Sequence, residues 1–307
     1  MSTRDQIARG LLDGGTARVV GVTATDVVRE AARRHRATGA AAVALGRGLA
    51  AGLLLATLTK DDERLTLQIL GDGPLGSLTV DSSAAGTARG YVKSPGARLP
   101  PAAPGARIEL AAAVGRSGLV SVVRDLGLRE NFGGQTPIVS GEIDEDVEHY
   151  LNTSEQIDSA LACEAVVDGN GNVVAAAGIL IQALPGSAAG THLQTARTHL
   201  RAGGLTSAAA ACAPEGNVDG LIAQVLGATL GTVQLLEVRG VRFYCPCSRE
   251  RAGGSLALLG QAELAQLILD DGRAEVTCNF CRERYEFTEA ELETIRRELD
   301  KTAGLPS

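Results

Sequence analysis

The chain reads as an α+β protein in three parts: an N-terminal core of antiparallel sheet and helices over residues 1–186, a helical connector over 187–240, and a small cysteine-bearing module over 241–307. Three observations predict this. In the first part, segments of helical period alternate with segments of period two, and the strand-like segments are joined by turn signals rather than crossover helices. The second part is dominated by Ala, Gly, Thr and Ser. The third carries two close cysteine pairs, Cys245-Pro246-Cys247 and Cys278-Asn279-Phe280-Cys281.

Taken in order, residues 18–24 form a short apolar strand, and from Asp26 the chain turns helical, with Val27, Val28, Ala31 and Ala32 on one face. Arg33, Arg34, His35 and Arg36 read as a solvated charged face rather than an anion site. A second helix runs from Ala40 to Thr59, where Gly46, Gly48 and Gly52 allow close packing. Leu65-Thr66-Leu67-Gln68-Ile69 alternates as a half-buried strand does, and Gly71-Asp72-Gly73-Pro74 turns it into Leu78-Thr79-Val80. Further strands are predicted at 90–93, 107–112 and 119–123, with the Pro-rich piece 94–104 as an ordered surface loop. Ile143, Val147, Tyr150 and Leu151 share a helical face. Asp168-Gly169-Asn170-Gly171 is a hairpin turn between Val166-Val167 and Val173-Val174, and the returning strand continues to Gln182.

The connector is broken by Gly203-Gly204 and Pro214-Glu215-Gly216, with short helical patterns such as Leu221, Val225, Leu226 and Leu230. Short, glycine-interrupted helices depend on docking against neighbours for their stability. In the last part a helix is predicted over 261–269, strands at 274–277 and 285–287, and a final helix opened by the capping box Thr288-x-x-Glu291.

Composition narrows the function. A net charge of −7 at pH 7 gives no basic footprint for a nucleic-acid backbone, so nucleic acid is not an expected partner. The longest apolar run, 40–58, carries Arg47 at its middle, which costs about 2.5–3.5 kcal/mol at a bilayer centre; a buried helix of a water-soluble protein fits better, and no membrane partner is expected. The N-terminus shows no secretory h-region, so the chain is expected in the cytoplasm and its six cysteines in a reducing environment. No G-x-x-x-x-G-K-[ST], H-E-x-x-H or G-x-S-x-G is present, so neither a nucleotide nor an enzymatic activity is expected.

Cys245, Cys247, Cys278 and Cys281 are the candidate ligands of one Zn²⁺, since two close pairs separated by a small folded unit bring four thiolates around a tetrahedral ion. Arg242, Arg249, Arg251, Arg273, Arg282 and Arg284 are near in sequence to offset the surplus negative charge and to favour thiolate. From spacing alone the site reads equally as a permanent structural knob or as a centre that oxidants can open. Cys163 and Cys212 read as small inert core residues, His192 and His199 as a histidine pair without carboxylates, and His149 as a surface residue.

The run Phe243-Tyr244-Cys245-Pro246-Cys247-Ser248-Arg249-Glu250-Arg251, with Cys278-Asn279-Phe280-Cys281 ahead of Tyr285 and Phe287, closely resembles the zinc-centre signature of the 33 kDa chaperonin family of redox-regulated heat-shock holdases. Gly71-Asp72-Gly73-Pro74-Leu75-Gly76, Ser140-Gly141-Glu142-Ile143, Ser154-Glu155-Gln156 and Gln182-Ala183-Leu184-Pro185-Gly186 resemble that family's N-terminal segments, so the likeness spans nearly the whole chain. It implies an ATP-independent stress-response chaperone, inactive when reduced and zinc-bound. It further implies activation by oxidation to Cys245–Cys247 and Cys278–Cys281 disulfides with zinc release, unfolded or oxidatively damaged clients, and a homodimer in the active form. Disulfides between such neighbours close loops of three or four residues and constrain the unfolded chain little, so they would not replace the long cross-link that zinc makes. The alternatives left standing are a zinc-ribbon binding module that never releases its metal and, less well supported, a thiol–disulfide oxidoreductase, for which no thioredoxin-like βαβ unit is visible.

Overall fold

The computed structural model describes residues 4–12, 15–60, 63–97, 107–125, 132–186, 190–227 and 230–303. The chain divides into two compact units, Met1–Tyr244 and Cys245–Ser307. The architecture is α+β.

The first unit begins with strands β1 (Gln6–Leu12) and β2 (Ala17–Thr23), followed by helices α1 (Thr25–His35) and α2 (Ala40–Ala56). Ala24 has no side chain with which to cap α1. Asp5, at the start of β1, does so from a distance, its carboxylate accepting the Val27 N–H at 2.8 Å. A meander then follows: β3 (Arg64–Gly71), β4 (Ser77–Ser83), β5 (Thr87–Val92), the single-turn α3 (Ala111–Val114), β6 (Gly118–Asp125) and β7 (Phe132–Pro137). Helix α4 (Ile143–Thr153) leads into the hairpin of β8 (Ser159–Val167) and β9 (Val173–Ala183), which turns at Asp168–Gly171 as expected.

The strands form two sheets. One has the order β10-β1-β2-β9-β8, where β10 is Val233–Gly240; the other has the order β11-β5-β4-β3-β6-β7, where β11 is Arg242–Phe243. All pairings are antiparallel except the short β11–β5 contact. Helix α2 packs on both sheets, and its glycines explain how: a Cβ on Gly48 would lie 2.4 Å from Leu78 of β4, and one on Gly46 would lie 2.5 Å from Ala165 of β8. With Leu45, Leu49, Leu53 and Leu54 fully buried, α2 is the centre of the main core. Among the described residues no single helix is long and apolar enough to cross a membrane.

Arg47, on α2, is fully buried. Its guanidinium meets Glu142 at 2.7 Å and Glu164 at 2.9 Å, while Arg107 pairs with Asp144 at 2.7 Å beside them. Opposite charges therefore compensate one another inside the core, where a lone ion would be strongly disfavoured. Glu142 also accepts the Leu110 and Ala111 N–H groups at the start of α3.

Four segments depart from the sequence reading. Residues 107–112, expected as a strand, end in the helical turn α3, because three alanines favour helix over strand and Glu142 satisfies the N–H groups at its start. Strands β1 and β7 were not foreseen. Strand β10 lies inside the stretch expected to be helical throughout; its alternating burial and its pairing with β1 make it the edge of the first sheet. The loop expected at 94–104 falls largely outside the described residues.

Between β9 and β10 the chain is helical: α5 (Gly190–His199), a π-turn (Leu200–Gly204) in which Gly203 has φ +87°, α6 (Leu205–Cys212) and α7 (Val218–Leu226). These cover the outer face of the first sheet and form a second core, in which Leu193, Leu200, Leu205, Leu221, Ile222 and Val225 meet Leu12, Val19, Ile179 and Ile181.

The second unit contains α8 (Arg249–Ala257), α9 (Gly260–Asp271), the hairpin β12 (Arg273–Thr277) and β13 (Arg284–Thr288), and α10 (Glu289–Ala303). The capping box forms as read: Glu291 accepts the N–H and hydroxyl of Thr288 at 2.9 Å each, which with Arg249 holds its carboxyl down at about 2. The buried apolar core is thin, consisting of Ala252, Leu256, Leu264, Ile268, Phe287 and Leu292.

Candidate metal centre

Two short segments of the second unit carry the four cysteines. Cys245 and Cys247 lie in extended chain just before α8, whose N-cap Ser248 accepts the Arg251 N–H and so fixes where the helix starts. Cys278 and Cys281 sit in the turn between β12 and β13. There the Cys278 N–H donates to the Glu283 carbonyl and the Arg282 N–H to the Cys278 carbonyl, both at 2.9 Å. Arg282 adopts the left-handed region at φ +61°, which reverses the chain and turns both thiols to one side.

The four Sγ atoms all lie within 4.8 Å of one another. Two close approaches join the two segments: Cys245 to Cys278 at 3.7 Å and Cys247 to Cys281 at 3.2 Å. A tetrahedron of sulfurs about 2.3 Å from a central Zn²⁺ has edges of about 3.8 Å, so the donor set fits such an ion in size and chemistry. Among the described residues this is the one group of three or more His, Cys, Asp or Glu side chains placed to hold a metal.

The electrostatics point the same way. Cys281 is buried, and burial together with the neighbouring sulfurs pushes its thiol up; burial likewise raises Cys247, partly offset by the Tyr285 hydroxyl, which donates to its sulfur at 3.2 Å. These two thiols resist ionisation unless a cation sits beside them. Arg249 and Arg284, expected to offset the cluster's charge, are engaged by Glu291 at 2.6 Å and Glu275 at 3.5 Å, and Arg249 also lies over the Phe287 ring. Tyr285 was noticed in the sequence only as a neighbour of the cysteines; its hydrogen bond makes it part of the site's second layer.

The remaining candidates fall elsewhere. Cys163 is fully buried on β8, where burial raises its thiol far above the usual range, and Cys212 is buried on α6. His192 and His199 both lie on α5, and His149 lies half-buried on α4.

The family model described as Hsp33 protein matches residues 5–288. A 33 kDa chaperonin of Listeria monocytogenes is 38% identical over 96% of this chain and 99% of its own length. One of Gloeobacter violaceus is 42% identical over 96% of both chains. The crystal structure of the 33 kDa chaperonin (heat shock protein 33 homolog) of Thermotoga maritima superposes with a TM-score of 0.84 at 32% identity, covering 97% of this chain and all of that one.

Proposed function

Since the chain belongs to the Hsp33 family, whose members are named chaperonins, we propose that it is a redox-regulated, ATP-independent holdase that protects thermally unfolding or oxidatively damaged proteins in the cytoplasm. The observation that carries the reading is the meeting of Cys245, Cys247, Cys278 and Cys281 in one four-sulfur cluster inside a unit with a core of six buried residues. Zinc, when bound there, would cross-link two segments thirty residues apart and supply much of the unit's folding free energy, of order 10–16 kcal/mol in zinc-finger peptides.

In the reduced state the four cysteines hold the metal as thiolates, and the Tyr285 hydroxyl orients Cys247. Oxidation removes the ligand set: Cys245 with Cys247, and Cys278 with Cys281, each pair of thiolates giving two electrons to one hydrogen peroxide, so that, with two protons taken from solvent, the O–O bond breaks, one S–S bond forms and two waters leave. The new loops are too short to hold the unit together, residues 241–307 unfold, the helices of the connector 187–240 come off the core domain 1–186 while β10 stays paired with β1, and the apolar sheet face beneath those helices becomes available to clients. A homodimer is the proposed active assembly, with no part for nucleotide or nucleic acid.

The second reading, a permanent structural zinc ribbon, is favoured by one observation: close sulfur contacts run between the two segments, an arrangement that oxidation could lock rather than release. One experiment separates the two. Light scattering from a thermally unfolding client is followed with the protein either reduced and zinc-loaded or treated with peroxide. Suppression by the oxidised form alone, reversed by dithiothreitol and zinc, supports the holdase; no suppression by either form overturns it.

A further inference from the structure

The helices between β9 and β10 lie on their sheet through contacts rich in alanine, Ala196, Ala208 and Ala209 among them, which bury little area per residue. One polar group stands out at this contact. Arg197, near the end of α5, reaches across to three oxygen atoms of α4, of the sheet and of the connection between them: its Nε donates to Glu148 Oε1 at 3.1 Å, and one terminal nitrogen donates to Asp158 Oδ1 and to the Ser159 carbonyl, each at 2.7 Å.

Glu148 is the informative partner. It lies on α4 with its side chain only 9% exposed, and its second oxygen accepts the Leu161 N–H of β8 at 2.7 Å. Burial raises its carboxyl, and the Leu161 N–H and Arg197 work against that rise. Arg201, on the π-turn, comes no nearer than 3.5 Å and is largely exposed. The carboxylate can be stabilised by Arg197 with the connector in place, or by water with the connector away. Removing one partner of a buried pair leaves the other charge uncompensated, and here the protein has a way to relieve it.

We propose that Arg197 is a positioning residue that clamps the connector onto the core over the Glu148 carboxylate, and that the strength of this clamp sets how readily the connector is released. The inference rests on the holdase reading for its link to activity; the clamp itself does not.

The test uses the full chain, reduced and zinc-loaded, as wild type, Arg197→Met, and Arg197→Met with Glu148→Gln. Hydrogen exchange by mass spectrometry is followed in peptides from residues 190–212, with peptides from β2 as the control for an intact core. Arg197→Met should speed exchange in 190–212 tenfold or more, leave β2 unchanged, and suppress client aggregation without oxidant. Adding Glu148→Gln should restore protection, because glutamine still accepts the Leu161 N–H but carries no charge that needs hydration. Unchanged exchange in Arg197→Met overturns the clamp, as does faster exchange that Glu148→Gln fails to reverse, since Arg197 would then act through packing alone. Faster, reversible exchange with no gain in aggregation suppression upholds the clamp and overturns its link to chaperone activity.

Discussion

Leu264→Ala should weaken zinc binding although Leu264 is not one of the cysteines. Leu264 is fully buried on α9, one of six buried residues in the core of the second unit. Truncating such a leucine costs about 2–5 kcal/mol through lost transfer energy and the cavity left behind. If the metal-free unit is unfolded, binding and folding are one equilibrium, and the whole of that loss appears in the metal affinity. At about 1.4 kcal/mol per factor of ten, the zinc dissociation constant should rise roughly 30-fold to several-thousand-fold. Competition with a chromophoric chelator measures this directly, and circular dichroism of the chelated wild type checks the premise. An unchanged dissociation constant would mean that the second unit folds without metal, and the argument that losing zinc opens it would fail.

Arg47→Ala should destabilise the first unit by about 3–5 kcal/mol, since it leaves Glu142 and Glu164 buried without their shared cation; urea denaturation measures it, and a loss under 1 kcal/mol would refute this account of the network. Burial raises the carboxyl of Asp5 to about 6, above its unfolded value, so its protonated form is the one the fold favours. That contribution is present at about pH 4 and lost as pH rises through 6, and Asp5→Asn should therefore gain of order 2–3 kcal/mol on wild type between pH 4 and pH 7, with equal pH profiles counting against it. A Cβ on Gly71 would lie 1.9 Å from the Val114 carbonyl oxygen, a backbone atom, so Gly71→Ala should lower the thermal midpoint of the first unit by several degrees, and an unchanged midpoint would show that the turn yields. Peptide mapping after peroxide should find Cys245–Cys247 and Cys278–Cys281; a dominant Cys245–Cys278 or Cys247–Cys281 bond would preserve the long cross-link and favour the permanent structural site.

Local signals carried much of the fold. The Asp168–Gly171 turn, the apolar stripe of α1, the glycines of α2 and the Thr288–Glu291 box each encode their structure within a few residues, and each was legible. The strands that escaped notice depend on distant partners. Gln6–Leu12 has Arg9 and Gly10 at its centre and becomes a strand by lying between β2 and β10; Phe132–Pro137 carries two glycines and is held only at the sheet edge. Val233–Gly240 has a readable period of two, but the alanine-rich sequence ahead of it obscured the change. The cysteine cluster was legible because close pairs have few other uses, whereas Tyr285 as a partner of Cys247 required coordinates. Arg47 entered the sequence argument only as an obstacle to a membrane span; its partners lie 95 and 117 residues away, and no local pattern announces them.

Strand β10 gives the connector an unusual mechanical character. Residues 184–232 leave the first sheet at the end of β9 and return to it at β10, with β2 and β1 in between, so both ends are anchored about 14 Å apart in the same sheet. When these helices lift they remain a closed loop, held near the face they covered at an effective concentration on the order of millimolar. Redocking is then a first-order event, as fast in dilute as in concentrated solution. Under the proposed mechanism a client bound to that face would compete continuously with a tethered rival, so it would have to hold on through many contacts at once and would be shed once the loop regained its fold.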